Sequence, residues 1–221
     1  MALMTTLQAA ERIGVSVRHV QRLVAGRDLV AIGPDRIVAD SVAQWIAQRQ
    51  GSRPRAWEEP TAWAAVALLE GEPAPWLGQA QRSRLRSALT DTTAVELTAR
   101  ARNRAGIHRF HAHPRALGSL AQDVVESGAT GGVGGLTAPD RLDGYVSASA
   151  LDRLAQRYRL TPDPAGPVTL RATDMPPDVV TELAAGRRLV LAGLDLAGST
   201  DARERSTGAR ILERAISKLR G

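Results

Sequence analysis

Between Thr5 and Val24 the chain has few paths open to it. One glycine, Gly14, separates two stretches that both carry a helical apolar period. The first, Thr5-Thr6-Leu7-Gln8-Ala9-Ala10-Glu11-Arg12-Ile13, repeats its apolar residues at Leu7, Ala10 and Ile13, and Thr5 or Thr6 can cap it. Gly14 supplies the backbone freedom of a tight turn, into which Val15 packs. Ser16 is then a good N-cap for a second helix, Val17 to Val24. Its apolar face is Val17, Val20, Leu23 and Val24. Arg18, His19, Gln21 and Arg22 form the other face, which consists of groups able to donate hydrogen bonds.

After Gly26, two short β-prone runs, Arg27-Asp28-Leu29-Val30-Ala31-Ile32 and Arg36-Ile37-Val38, flank Gly33-Pro34-Asp35 and predict a hairpin. Asp40 or Ser41 is the expected cap of a third helix with Val42, Trp45 and Ile46 on its apolar side, Trp45 being core. The run from Thr6 to Val24, followed by Asp40-Ser41-Val42-Ala43-Gln44-Trp45, resembles the excisionase and MerR-like winged helix family. Turn, cap, amphipathic face and hairpin agree with that resemblance. An arginine forks onto guanine and a glutamine pairs with adenine when such a helix enters the major groove. The residues expected at DNA are therefore Ser16, Val17, Arg18, His19, Gln21 and Arg22, with Arg27 and Arg36 of the hairpin near phosphates.

Charge distribution sharpens this reading. The chain of 221 residues carries a formal net charge of +6, and Lys218 is its only lysine. Residues 1–55 hold eight arginines against four acids, residues 56–75 four acids and no base, and residues 76–115 eight arginines against two acids. Residues 116–199 come to −3, so anion binding is expected in the first half and not in that stretch. Cysteine is absent, which excludes disulfides and Cys–zinc sites and makes a cytoplasmic location the expectation. No run of about 18 apolar residues exists, and Met1-Ala2-Leu3-Met4 does not read as a signal peptide.

Gln50-Gly51-Ser52-Arg53-Pro54-Arg55, with Pro60, marks a boundary, so the organisation expected is residues 1–50, a linker over 51–60, and a second domain over 61–221. Helices are expected from Thr61 to about Gly71, with Trp63, Val66, Ala67 and Leu68 apolar, and from Gln79 to Leu89, with Arg82, Arg84 and Arg86 on a solvated face or, as the alternative, a second phosphate-contacting surface. Val95, Leu97, Ala99 and Ala101 alternate with polar residues, predicting a half-exposed strand. It is expected to pair as a hairpin with a second strand, Ile107 to His113. His111 and His113 would share one face of that strand and His108 the other; with no H-E-x-x-H spacing they read as structural, and no metal site is expected. The stretch Gly128-Ala129-Thr130-Gly131-Gly132-Val133-Gly134-Gly135 lacks the Gly-Lys-Ser/Thr ending of a phosphate loop and reads as a flexible loop. Ser147 and Ser149 read as helix caps, and Asp140 and Asp143 lack the spacing of a metal loop. No acid, base and nucleophile converge, so neither an enzyme nor a cofactor is expected.

Strands are expected at Leu142–Val146 and Val168–Arg171, and helices from Ser147 or Ser149 to Tyr158, from Pro176-Pro177-Asp178 to Ala184, and from Ala202 to Leu219, with Leu189–Leu196 a buried apolar run. The fold class is α+β: a winged helix-turn-helix followed by a mixed α+β domain. The block from Leu191 to Arg205, with Gly208, Ile211 and Leu212 beyond it, resembles the tail of AbiEi-type antitoxins, and Asp140-Arg141-Leu142-Asp143-Gly144-Tyr145-Val146 is similar in flavour. In that family a strand, an Asp-Leu pair, a polar turn with Asp-x-Arg and a closing helix recur, which singles out Asp195, Asp201 and Arg203. Residue by residue, Asp201 also reads as the cap of the last helix and Arg203 as a solvated side chain.

The resemblance implies a transcriptional autorepressor that binds double-stranded operator DNA at inverted repeats. It also implies the antitoxin of an operon whose toxin is nucleotidyltransferase-like, without a membrane partner. The alternative is a plain transcriptional or prophage regulator whose second domain senses a ligand or dimerises.

Overall fold

The structure is a computed structural model that describes residues 3–26, 28–33, 35–39, 41–42, 45, 54–127, 141–185, 189–199 and 201–221. Arg27, Asp40, Ile46, Arg53, Asp140 and the glycine-rich 128–135 lie outside the described residues. The chain divides into two compact units, Met1–Pro54 and Arg55–Gly221. Both strands and helices are present, and no described helix is long and apolar enough to cross a membrane.

In the first unit, β1 (Leu3–Met4) precedes α1 (Thr6–Ile13) and α2 (Val17–Ala25). Thr5 caps α1 through a capping box with Gln8, satisfying two of the amides that a helix start leaves free. Gly14 ends α1 at φ 77°, in the left-handed region open to glycine, and its amide bonds back to the last turn. Ser16 then accepts from the His19 amide and starts α2. Residues 30–33 and 35–38 are tied back on each other by bonds from Ile32 to Arg36, Arg36 to Gly33 and Val38 to Val30. β2 (Ile37–Val38) bridges Ala31 and pairs antiparallel with β1, a pairing the sequence reading did not foresee. Ser41 lies inside the following helical stretch, with Ala39 and Val42, and so does not cap it. Its hydroxyl instead donates to the Val38 carbonyl and accepts from the Val30 amide, closing the hairpin base. Ala9, Ala10, Val20, Leu23, Leu29, Ile37, Val42 and Trp45 form the core.

The second unit is a mixed five-stranded sheet between helical layers. Its strands are β3 (Gly106–His111), β4 (Val125–Glu126), β5 (Leu142–Ser147), β6 (Thr161–Pro162) and β7 (Val168–Thr173), in the order β4-β5-β7-β3-β6. β5 and β7 run parallel; the other pairs are antiparallel. Because side chains alternate across a strand, the sheet has two distinct faces. Phe110, Leu142, Val146, Val168 and Leu170 point to one face, where Leu120 of α6 (Pro114–Ala121) and Leu154 of α7 (Leu151–Arg157) cover them. The opposite face, with Tyr145, Arg171 and Thr173, meets the larger core. That core is built on α3 (Glu59–Glu70), whose residues Ala62 to Leu69 are all buried, and on α4 (Gln79–Thr90). It is completed by α5 (Ala94–Arg100), α8 (Pro177–Ala184), α9 (Val190–Ala197) and α10 (Ala202–Arg220).

Several expectations are corrected here. Residues 55–60, expected as linker, belong to this unit: the Trp57 amide donates to the Arg100 carbonyl, and Glu59 already lies in α3. The alternating run at 95–102 is helix, not strand. Thr93 and Glu96 make a capping box, and Ala94, Leu97 and Ala101 share one buried helical face, so the i, i+3, i+7 pattern wins over the alternation. No hairpin therefore joins it to β3, which pairs with β7 and β6 instead. β3 ends at His111, and His113 is the N-cap of α6, its Nδ1 accepting the Arg115 amide. The apolar run at 189–196 is helix, where the family resemblance implied a strand. Ser147 makes no side-chain cap; its hydroxyl pairs with that of Ser149. Arg82 is not wholly solvated but donates to the carbonyls of Ala74 and Leu77.

Candidate functional site

In the first unit α2 sorts its residues sharply. Val20 and Leu23 are buried, while Arg18, Gln21 and Arg22 are exposed on the other side. Val17, expected on the apolar face, is exposed, and Ser16 is occupied with the cap. His19 departs from the donor face. Its ring lies edge-on to Trp45 at 6.5 Å, its Nδ1 contacts the Arg22 guanidinium at 3.3 Å, and its buried Nε2 finds no partner among the described residues. Arg36 is exposed on the hairpin. Asp35 caps the approach to α1 by accepting the Thr6 amide at 2.6 Å, and hydrogen bonding from the Thr6 side chain first, with that amide, holds its carboxyl below the usual carboxylate range. The outcome is an exposed helix face bearing two guanidiniums and an amide, and an exposed arginine on the hairpin.

The second unit contains a buried ionic cluster. Asp195, on α9, is surrounded by Arg104, Arg171, Tyr145 and Ser127. Its Oδ1 receives the Arg104 guanidinium, the Tyr145 hydroxyl at 2.7 Å and Arg171 Nη1 at 3.2 Å; its Oδ2 receives the Ser127 hydroxyl at 2.5 Å. Arg171 also forks onto both oxygens of Asp143. Arg104 Nε reaches the Tyr145 hydroxyl at 3.0 Å. Trp63 packs edge-on to Tyr145 at 5.4 Å and donates its indole N–H to the Arg104 carbonyl and the Thr173 hydroxyl.

Two arginines and two aspartates make the cluster formally neutral, the condition under which charges tolerate a dry interior. Burial alone would raise the Asp195 carboxyl, but Arg171 and Arg104 outweigh it and hold the group below the usual carboxylate range. Burial, opposed by Arg104, pushes the Tyr145 phenol well above its usual value, so it stays a neutral donor. Such a cluster pins α9 to the sheet; its partners are saturated by one another and none is poised as a nucleophile.

The tail residues thus divide. Asp195 is the centre of the cluster. Asp201 caps α10, accepting the amides of Arg203 and Glu204, which lowers its carboxyl. Arg203 is exposed. The sequence reading named Asp195 but missed Arg104, Arg171, Tyr145 and Ser127, which lie up to 91 positions from it. The one usable signal was Thr169, Arg171 and Thr173 alternating with Val168, Leu170 and Ala172, a polar stripe on an otherwise buried strand. Among the described residues, no group of three or more His, Asp or Glu could hold a metal.

Beside the cluster, a cleft of about 670 Å³ opens where the polar sheet face meets the turn between α9 and α10. Compared with known proteins, the chain matches no family model, no curated protein and no solved structure.

Proposed function

We propose that this protein is a DNA-binding transcriptional autorepressor, and that its second unit is the antitoxin of an operon whose toxin is nucleotidyltransferase-like. The observation that carries the DNA-binding half is α2: held from behind by Val20 and Leu23, it offers Arg18, Gln21 and Arg22 together to solvent. On this reading α1, the Gly14 turn and α2 are a helix-turn-helix. Residues 30–38 are its wing, with Arg36 at a phosphate. The antitoxin half rests on the resemblance of the tail to AbiEi-type antitoxins. In its support, the residues of that tail act as one packing device, Asp195 anchoring α9 and Asp201 starting α10.

The test for DNA binding is a gel shift of the full chain on its own promoter. A saturable complex that Arg18→Ala and Gln21→Ala weaken supports the reading; equal affinity for promoter and unrelated DNA counts against it. The test for the antitoxin is growth on co-expression with the neighbouring nucleotidyltransferase-like protein. Repression without rescue of growth would leave the plain regulator in its place.

A further inference from the structure

The polar face of the sheet is covered unevenly. Cross-strand partners share a face, so the pairings define rows across β3, β7 and β5. One row is Arg109, Thr169 and Asp143; the next is Ile107, Arg171 and Tyr145; Thr173 and Ser147 follow. Trp63 and Asp195 close over the second and third rows. The first row stays open: Thr169 is half-buried and Arg109 exposed, and the cleft lies above it. Pro167 and, on the row of Arg171, the exposed Ile107 are the apolar groups of the lining on this face, Ser199 borders the other side, and Arg141 is exposed just before β5.

Five arginines and four carboxylates line the cleft. Those at its floor are spent on each other, Arg104 and Arg171 on Asp195 and Asp143. Asp201 is committed to the α10 amides and Glu204 to the Ser199 hydroxyl. Arg109, which donates to the Pro164 carbonyl over a long 3.4 Å, and Arg141 face the opening. Strands lie roughly 4.8 Å apart, so the Thr169 hydroxyl is one strand away from Arg109. Guanidinium and hydroxyl donors of this kind hold phosphate oxygens. The cleft is far larger than a phosphate ion and falls within the roughly 300–1,000 Å³ range of small-ligand sites.

We propose that this cleft binds a mononucleotide: Arg109, Arg141 and Thr169 take its phosphate end, and the exposed apolar side chain of Ile107, in the next row, takes its base. This binding is independent of the operator reading, because every residue it uses lies in the second unit.

Isothermal titration of the full chain tests it, using ATP, GTP, CTP and UTP one at a time, then adenosine, inorganic phosphate and a single-stranded oligonucleotide. The expected result is saturable 1:1 binding of at least one nucleotide, with adenosine and inorganic phosphate each weaker by about tenfold or more. Arg109→Gln and Arg141→Gln should each weaken the nucleotide about tenfold, the loss of one charge-assisted hydrogen bond. Arg84→Gln, on the exposed side of α4, should leave it unchanged. Thr169→Val, which keeps the side-chain shape, serves as an independent variant should either arginine replacement unfold the chain. The proposal is overturned by no saturable binding of any of the four, by inorganic phosphate binding as tightly as a nucleotide, or by the oligonucleotide binding at least about tenfold tighter. Affinity unchanged in all three variants overturns it too. Promoter binding by Arg109→Gln should stay at the wild-type level, so failure here leaves the DNA reading standing and the converse.

Discussion

Arg171 and Asp143 meet across the parallel strands β7 and β5 as a two-pronged pair, Nε at 2.6 Å and Nη2 at 2.7 Å, while the remaining nitrogen of Arg171 reaches Asp195. One guanidinium therefore ties two strands to a helix residue, Asp195, that lies 24 positions further along the chain. Planar forked donors make this possible; a lysine could serve only as a point charge.

Replacing Asp195 with Asn should destabilise the second unit by about 3–5 kcal/mol near neutral pH, because Arg104 and Arg171 lose their shared counter-charge in a dry site. The pH dependence has a definite sign. Asp195 is held below the ordinary carboxylate value of about 3.9, so its contribution is fully present above that value and is lost as pH falls through the lower, folded one. Asp143, pushed up by burial and in part by Asp195 itself, works in the opposite sense in the wild-type chain. The gap between wild type and Asp195→Asn in denaturant midpoint should thus close on acidification below about pH 4. A gap that stays constant from pH 6 to pH 2 would contradict the ionised buried carboxylate.

Gly208 is where α10 crosses α9. A Cβ there would stand 2.3 Å from the Ala197 amide nitrogen and 2.5 Å from the Gly193 carbonyl oxygen, both backbone. At Gly193 the nearest atoms are side-chain methyls of Ile211 and Leu212, which can yield. Gly208→Ala should therefore cost more than Gly193→Ala, at or above the usual 1–3 kcal/mol of overpacking. Thermal unfolding of the two variants side by side decides it, and the reverse order would show that the helices do not cross so closely.

Operator binding should fall steeply with salt, since Arg18, Arg22 and Arg36 would displace counterions from phosphates. Arg18→Ala or Gln21→Ala should cost about 1–3 kcal/mol on the cognate site and relax base preference at one position. Affinity that barely moves between 50 and 200 mM salt, as orders of magnitude for such titrations, would argue against phosphate contacts. Discrimination left intact by Arg18→Ala would show that α2 does not read the bases.

Repression and neutralisation should separate along the chain. A fragment of residues 55–221 retains a core of its own and should lose repression yet rescue growth beside the toxin. Stopping before Ala202 removes Leu212 and Ile216 from that core, each contributing roughly 1.5–3 kcal/mol, and should abolish rescue. Promoter-reporter and growth assays on the same strains read both. A soluble, folded 55–221 fragment that fails to rescue would end the antitoxin proposal.

Local chemistry in the sequence determined α1 and α2 with their caps at Ser16 and Gly14, because cap residues and apolar periods act within one turn of chain. It also determined β7, α8 and the cap of α10 at Asp201. Only tertiary structure decided the rest. Residues 94–100 alternate like a strand, but a capping box and the burial of Ala94 and Leu97 make them helix. The run at 190–197 is apolar on every side, so period could not tell strand from helix; α3 and α10, packed around it, settled it as helix. The pairing of β1 with β2 joins two-residue strands too short to carry any period. Asp195 stood out in the sequence, yet its partners Arg104, Tyr145 and Arg171 come from three strands or turns distant in the chain. A charge is stable in that interior only because folding brings its counter-charges there, and no local signal encodes such a meeting.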